Sequence, residues 1–211
     1  MFMGASTNQG MDIATKSREI IRDLIKDDVK GLNPLETDIV ERIVHSTADP
    51  EYAKLVVMSE DFTRESIKAL KNQEDILTDI NMVKSGITQY EGDVKCYIKD
   101  PEVKKLTQEL SKTQEITRAA SAIQYAANEG FEGIIIVGNA PTALLKAIEL
   151  KEKGELNVKS IIGVPVGFVA AADSKEELCQ TDIPNIITTG PKGGTPIAVA
   201  TINSLIQNCK D

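Results

Sequence analysis

Apolar positions recur along the chain in two rhythms. At helical spacing stand Ile20, Ile21, Leu24 and Ile25 within SREIIRDLIKDDVKGL, which predicts a helix opening near Ser17 and closing before Gly31. PLETDIVERIVHSTADP predicts a second helix with Ile39, Val40, Ile43 and Val44 inward, Pro34 in its first turn and an end at Thr47 to Asp49, since Pro50 disfavours helix just before it. Short apolar runs then alternate with helical segments. KLVVMS (54–59), DILTDI (75–80), VKCYI (94–98), the GIIIV run, VKSIIG and NIITT (185–189) predict strands, with helices over DFTRESIKALK, over the Ala-rich ITRAASAIQYAANEGFE ending at Gly130, after GNAPT, and over IAVATINSLIQ. Strand and helix alternate at least five times. That pattern predicts an α/β fold with a mainly parallel sheet covered by helices on both faces. A length of 211 residues suits one domain, expected over 15–211, with a flexible polar stretch over 1–14.

Composition narrows the function classes. No apolar run approaches the ~20 residues of a membrane-spanning helix, so no membrane association is expected. MFMGASTNQG lacks a basic segment followed by a long apolar one, so no secretory signal is expected and the cytoplasm is the expected compartment. Cys96, Cys179 and Cys209 are widely spaced and form no metal-binding pattern, which predicts reduced thiols and no bound metal. Against 24 basic residues stand 32 acidic ones, and a formal charge of -8 argues against nucleic-acid binding, which rests on many Lys and Arg contacts to phosphate.

Ligands of parallel sheets lie beyond the carboxyl ends of the strands. Three turns expected there are rich in Gly and Pro: GNAPT (138–142), GVPVGFV (163–169) and GPKGGTP (190–196). They lack the GxGxxG and GxxxxGK[ST] spacings of nucleotide sites, and each taken alone reads equally well as a tight turn. His45 is the only histidine, hence the first candidate for proton transfer near neutral pH. Arg42 lies three residues earlier, on the same expected helix face. Pattern alone favours a solvated pairing of Arg42 with Glu41 or Asp38. Arg118 and Lys192 are further cations for an acidic ligand, and Ser17 either caps a helix or donates to a ligand. Neither a GxSxG elbow nor an HExxH motif occurs, so the residues point to proton-assisted chemistry on an organic acid without cofactors.

Read together, ERIVHSTAD, TDINMVKSGIT, CYIKDP, TRAASAI, GNAPTALL, IIGVPVGFVAAADSKEEL and GPKGG resemble the precorrin-8X methylmutase family, from about Ser17 to Gln207. The resemblance implies a homodimer of Rossmann-like subunits with sites near the interface. It implies an isomerisation that moves a methyl group from C-11 to C-12 of a corrinoid, with no cofactor and no external methyl donor. It further implies that His45 protonates or hydrogen-bonds ring C, and that Ser17, Arg42 and Arg118 contact the carboxylate-rich substrate. Two departures from the family pattern stand out: Arg18 where an aromatic residue often follows the serine, and Pro191 where relatives carry arginine. A non-catalytic corrinoid carrier is the rival reading, since the same pocket would serve it.

Overall fold

The structure is a computed structural model that describes residues 7–210. Helix α1 (Asn8–Ile25) begins nine residues before the predicted start, because the Thr7 hydroxyl accepts from Gly10 N at 3.1 Å and Ala14 extends the buried stripe of Ile21 and Ile25. The stretch expected to be ragged is therefore helical from Asn8, and residues 1–6 lie outside the described residues. Helix α2 (Pro34–Thr47) opens with a reciprocal cap: Asn33 Oδ1 accepts from Leu35 N and Glu36 N, and the Glu36 carboxylate accepts from Asn33 N at 2.9 Å. It stops at Ala48, which is left-handed at φ 52°.

A short helix α3 (Tyr52–Leu55) takes the first part of the predicted strand 54–59 and leaves β1 (Val56–Met58). There follow α4 (Phe62–Lys71), β2 (Asp75–Thr78), α5 (Asn81–Gly86), β3 (Val94–Lys95), α6 (Pro101–Leu110) and α7 (Arg118–Asn128). The chain ends with β4 (Glu132–Val137), α8 (Pro141–Glu152), β5 (Asn157–Gly163), α9 (Ala171–Cys179), β6 (Asn185–Thr188) and α10 (Thr195–Asn208). The six strands form one sheet in the order β1-β6-β5-β4-β2-β3, parallel throughout except for β1 against β6.

Alternation along the strands splits the core into two layers. Ile134 and Ile136 of β4 pack on the face covered by α2, α4 and α10, while Ile135 and Val137 pack under α7, α8 and α9. Each of these isoleucines is fully buried, and burial of such a side chain is worth roughly 1.5–3 kcal/mol. After β2 the chain leaves through α5 to the first face, and after β4 it leaves through α8 to the second. Those divergent exits open a crevice between neighbouring strands at their carboxyl ends, where ligands of such sheets bind. No helix among the described residues is long and apolar enough to cross a membrane.

Candidate active site

Helix α2 delivers His45 to this carboxyl edge. Ser46 Oγ lies 3.5 Å from the Pro196 carbonyl in the first turn of α10. Beyond the helix, Asp49 and Glu51 hold Lys192 of the β6–α10 turn at 2.7 and 2.8 Å. The His45 ring is exposed, and its Nδ1 lies 3.0 Å from the Ser17 hydroxyl of α1. That bond fixes the ring against α1 and leaves Nε2 as the nitrogen with no partner among the described residues. Around it lies an open hollow of about 480 Å³, lined by Ile13, Ile20, Leu24, Val44 and Pro50 besides the serine and histidine. Ile20 and Leu24 are 60% and 58% exposed, so α1 carries an outward apolar stripe beside the histidine as well as an inward one.

Arg42 does not share this hollow. Its Nε donates to Asp38 Oδ2 at 2.9 Å and its Nη2 to Gln207 Oε1 of α10 at 3.0 Å, which turns the guanidinium away from His45. The pairing with Asp38 expected from spacing is present, but inside a part-buried network rather than in solvent. Arg18 completes that network by reaching from α1 to Asp38 and to buried Glu41, which also accepts from Arg22 at 2.7 Å. Burial pushes the Asp38 carboxyl up, yet the Ser204 hydroxyl and the Arg42 and Arg18 guanidinia together hold it below the usual range. Arg18, which departs from the family pattern beside Ser17, thus clamps α1 to α2 and thereby holds Ser17 against His45.

The three glycine-rich turns follow β4, β5 and β6, which are neighbours in the sheet, so they meet on one edge as expected. Sequence reasoning passed over the residue that organises the first of them. Asp79, buried just past β2, accepts from Gly138 N, Asn139 N and Ala140 N at 3.0, 2.9 and 2.7 Å. Burial raises its carboxyl above the usual range, partly offset by those N–H groups. Amides that would cradle a phosphate at this crevice are thus already occupied by the protein's own carboxylate, a physical reason for the poor nucleotide match. An acid directly after a buried strand was the available signal.

Arg118 stands at the other end of the same edge, on the opposite face of the sheet. It is exposed, opens α7, and makes no ion pair with a described residue. The bond between Thr117 Oγ1 and Thr142 Oγ1, 2.7 Å, ties that helix start to the 138–142 turn and to a cleft of about 900 Å³. Ser17 and His45 are therefore brought together, Arg118 faces the edge from a distance, and Arg42 supports the helix that carries the histidine. Lys192 is held by Asp49 and Glu51, which keep its ammonium well above the usual lysine range, so it is not a spare cation. Among the described residues no group of His, Cys, Asp and Glu could hold a metal ion.

Comparison with known proteins gives the family and the fold. The family model described as precorrin-8X methylmutase matches residues 12–208. A cobalt-precorrin-8 methylmutase of Methanothermobacter thermautotrophicus is 54% identical over 99% of this chain and 98% of its own length. A precorrin-8X methylmutase of Sinorhizobium is 33% identical over 94% of both chains. The crystal structure of the precorrin-8X methyl mutase from Thermus thermophilus superposes with a TM-score of 0.82 at 32% identity, covering 94% of this chain and 96% of that one. On this sheet order, this histidine-bearing edge and these full-length matches, the chain belongs to the precorrin-8X methylmutase family, isomerases of corrin biosynthesis.

Proposed function

We propose that His45 is the catalytic residue of the methyl migration, acting through Nε2 on ring C of the macrocycle. The family reaction moves a methyl group from C-11 to C-12 within one molecule, giving hydrogenobyrinate or its cobalt counterpart cobyrinate, so any proton lent to the ring returns to the imidazole. One observation carries the assignment: Nδ1 is anchored by Ser17 at 3.0 Å inside an open, apolar-walled hollow. The anchor sets the ring plane, and the apolar wall strengthens a hydrogen bond to charge that develops during the shift. Ser17 is then a positioning residue, and Arg42 another, since its donors hold α2 through Asp38 and Gln207. Arg118, which has no ion-pair partner among the described residues, takes a peripheral carboxylate of the substrate in bidentate fashion.

The substrate carries cobalt in this reading, because the relative at 54% identity bears cobalt in its name. The chain works as a homodimer in the cytoplasm. The exposed stripe of Ile13, Ile20 and Leu24 supports a second copy, and three unpaired cysteines suit a reducing compartment. Absorbance spectra after mixing with cobalt-precorrin-8 and with the metal-free form, on a preparation whose mass is read by sedimentation, test the whole assignment. His45→Ala should lose conversion by about 10²- to 10⁴-fold while still binding the product. Equal conversion by the variant removes His45 from the mechanism. Binding without conversion by the unaltered protein makes it a carrier.

A further inference from the structure

Three phenylalanines lie among the described residues, and two of them, Phe62 and Phe131, are buried in the two core layers. The third, Phe168, is 98% exposed, with Val169 at 84% and Val166 at 48% on the same turn after β5. Single exposed apolar residues need no explanation, but three within four positions at the ligand edge of a sheet form a patch. Its feet are firmly held. Val164 N donates to Val137 O at 2.9 Å, Gly194 N to Val164 O at 2.8 Å, and Gly167 N to Pro191 O at 3.1 Å. Ala170, at the entry to α9, is left-handed at φ 60°, a strained conformation for a residue with a Cβ.

The neighbouring 190–194 segment acts as a brace. A Cβ on Gly193 would lie 2.4 Å from Val164 O and 2.7 Å from Pro165 O, so only glycine lets the two turns press together there. Beneath the brace, the Lys192 carbonyl accepts from buried Lys175 Nζ at 2.8 Å and from the Thr188 hydroxyl at 2.7 Å. The patch also continues toward His45. Val166 lies 3.7 Å from the place a Gly194 Cβ would take, and Pro196, two residues on, meets Ser46 beside the histidine.

From this arrangement we infer that Phe168, flanked by Val166 and Val169, is a substrate-binding residue that packs on the flat apolar face of the corrinoid. The inference rests on the family reaction. A macrocycle with carboxylates at its rim has two chemistries to satisfy: cations at the edge, which Arg118 provides, and apolar contact across the ring, which a rigid turn carrying an aromatic side chain provides. The outward stripe on α1 lies on another element, walls the His45 hollow, and is where a second copy would border that hollow.

Titration of the protein with cobyrinate, followed by the shift in corrin absorbance, tests this beside steady-state conversion. In Phe168→Ala, Kd for the product and KM should rise about tenfold to a hundredfold, the loss expected when a buried phenylalanine contact disappears, with a smaller change in kcat. Phe168→Trp should restore most of the affinity, and the melting curve of Phe168→Ala should match the unaltered protein, since the side chain touches solvent in the free state. Kd and KM within about twofold of the unaltered protein overturn the inference, as does a loss of activity that tracks a change in sedimented mass. Failure of the unaltered protein to bind or convert corrinoids would instead count against the family reading.

Discussion

Lys175 is fully buried, and its amine donates only to the Lys192 carbonyl at 2.8 Å and the Thr188 hydroxyl at 3.3 Å, with no described carboxylate paired to it. Burial pulls its pKa down from 10.5 to about 8. In the unfolded chain the same amine keeps its proton to the ordinary value. Between the two values the unfolded state binds more protons, so stability rises with pH across this window and is lost as pH falls through the lower one. The gap corresponds to about 3 kcal/mol, present in full above the upper value and absent at neutral pH, where both states are protonated.

Replacing Lys175 by methionine removes the titration, keeps all but the last atom of the side chain's length, and leaves the Thr188 hydroxyl donating to the Lys192 carbonyl. Urea unfolding read by far-ultraviolet circular dichroism suits a chain without tryptophan. Other ionisations cancel between the two proteins, so the difference in stability should shift by about 3 kcal/mol in favour of the lysine form between pH 7 and pH 10.5. At neutral pH the methionine variant should be as stable as the unaltered protein or more so, since it buries no charge. Turnover should nevertheless fall, because the brace under the Phe168 turn loses one of its two donors. Stability profiles that run parallel would refute the account, because they would mean that the amine meets water or a counter-ion.

Two further substitutions probe the supports of the site. Arg18→Met strands buried Glu41 with the exposed Arg22 alone and should cost about 3–5 kcal/mol, whereas Arg22→Met should cost about 1 kcal/mol or less; equal losses in urea titrations would discredit the clamp. Asp79→Ala leaves the N–H groups of Gly138, Asn139 and Ala140 without an acceptor, each at a cost of roughly 1–3 kcal/mol. Its melting temperature should fall well below that of the unaltered protein, with Asp79→Asn between them, and an unchanged melt would mean that water replaces the carboxylate freely.

The elements that bury a continuous apolar face were legible in the sequence. GIIIV became the core strand β4, the Ala-rich run became α7, and Pro34 opens α2 in its first turn as expected. Helix α6 was missed because only Val103 of its ten residues is buried, so it leaves no periodic trace. The front of α1 was missed for a similar reason, Ala14 being its one inward residue before Ile21. Polar partners were harder still. Spacing put Arg42 beside His45, yet Asp38 and Gln207, the latter 165 residues away, take up its guanidinium. Asp79 meets its three amides across about sixty residues, and Lys175 meets its carbonyl from another element. A hydrogen bond needs a partner within about 3 Å, and no local pattern encodes which distant donor the fold will bring there.

A different blindness hides the apolar residues that face outward. Phenylalanine or isoleucine has the same transfer free energy at every position in a sequence, so periodicity counts Ile20 with Ile21 and reads Phe168 as part of a turn. Only the fold separates the two classes, by filling both core layers without Ile20, Leu24, Phe168 or Val169. Two groups stand out among the exposed apolar residues. One group walls the hollow around His45 and the other crowns the braced turn after β5, both reached from the same carboxyl edge of the sheet. Apolar surface left in water at these two places is surface available to a ligand or a second copy, and each has a charged support beneath it, part-buried Arg18 at one and buried Lys175 at the other.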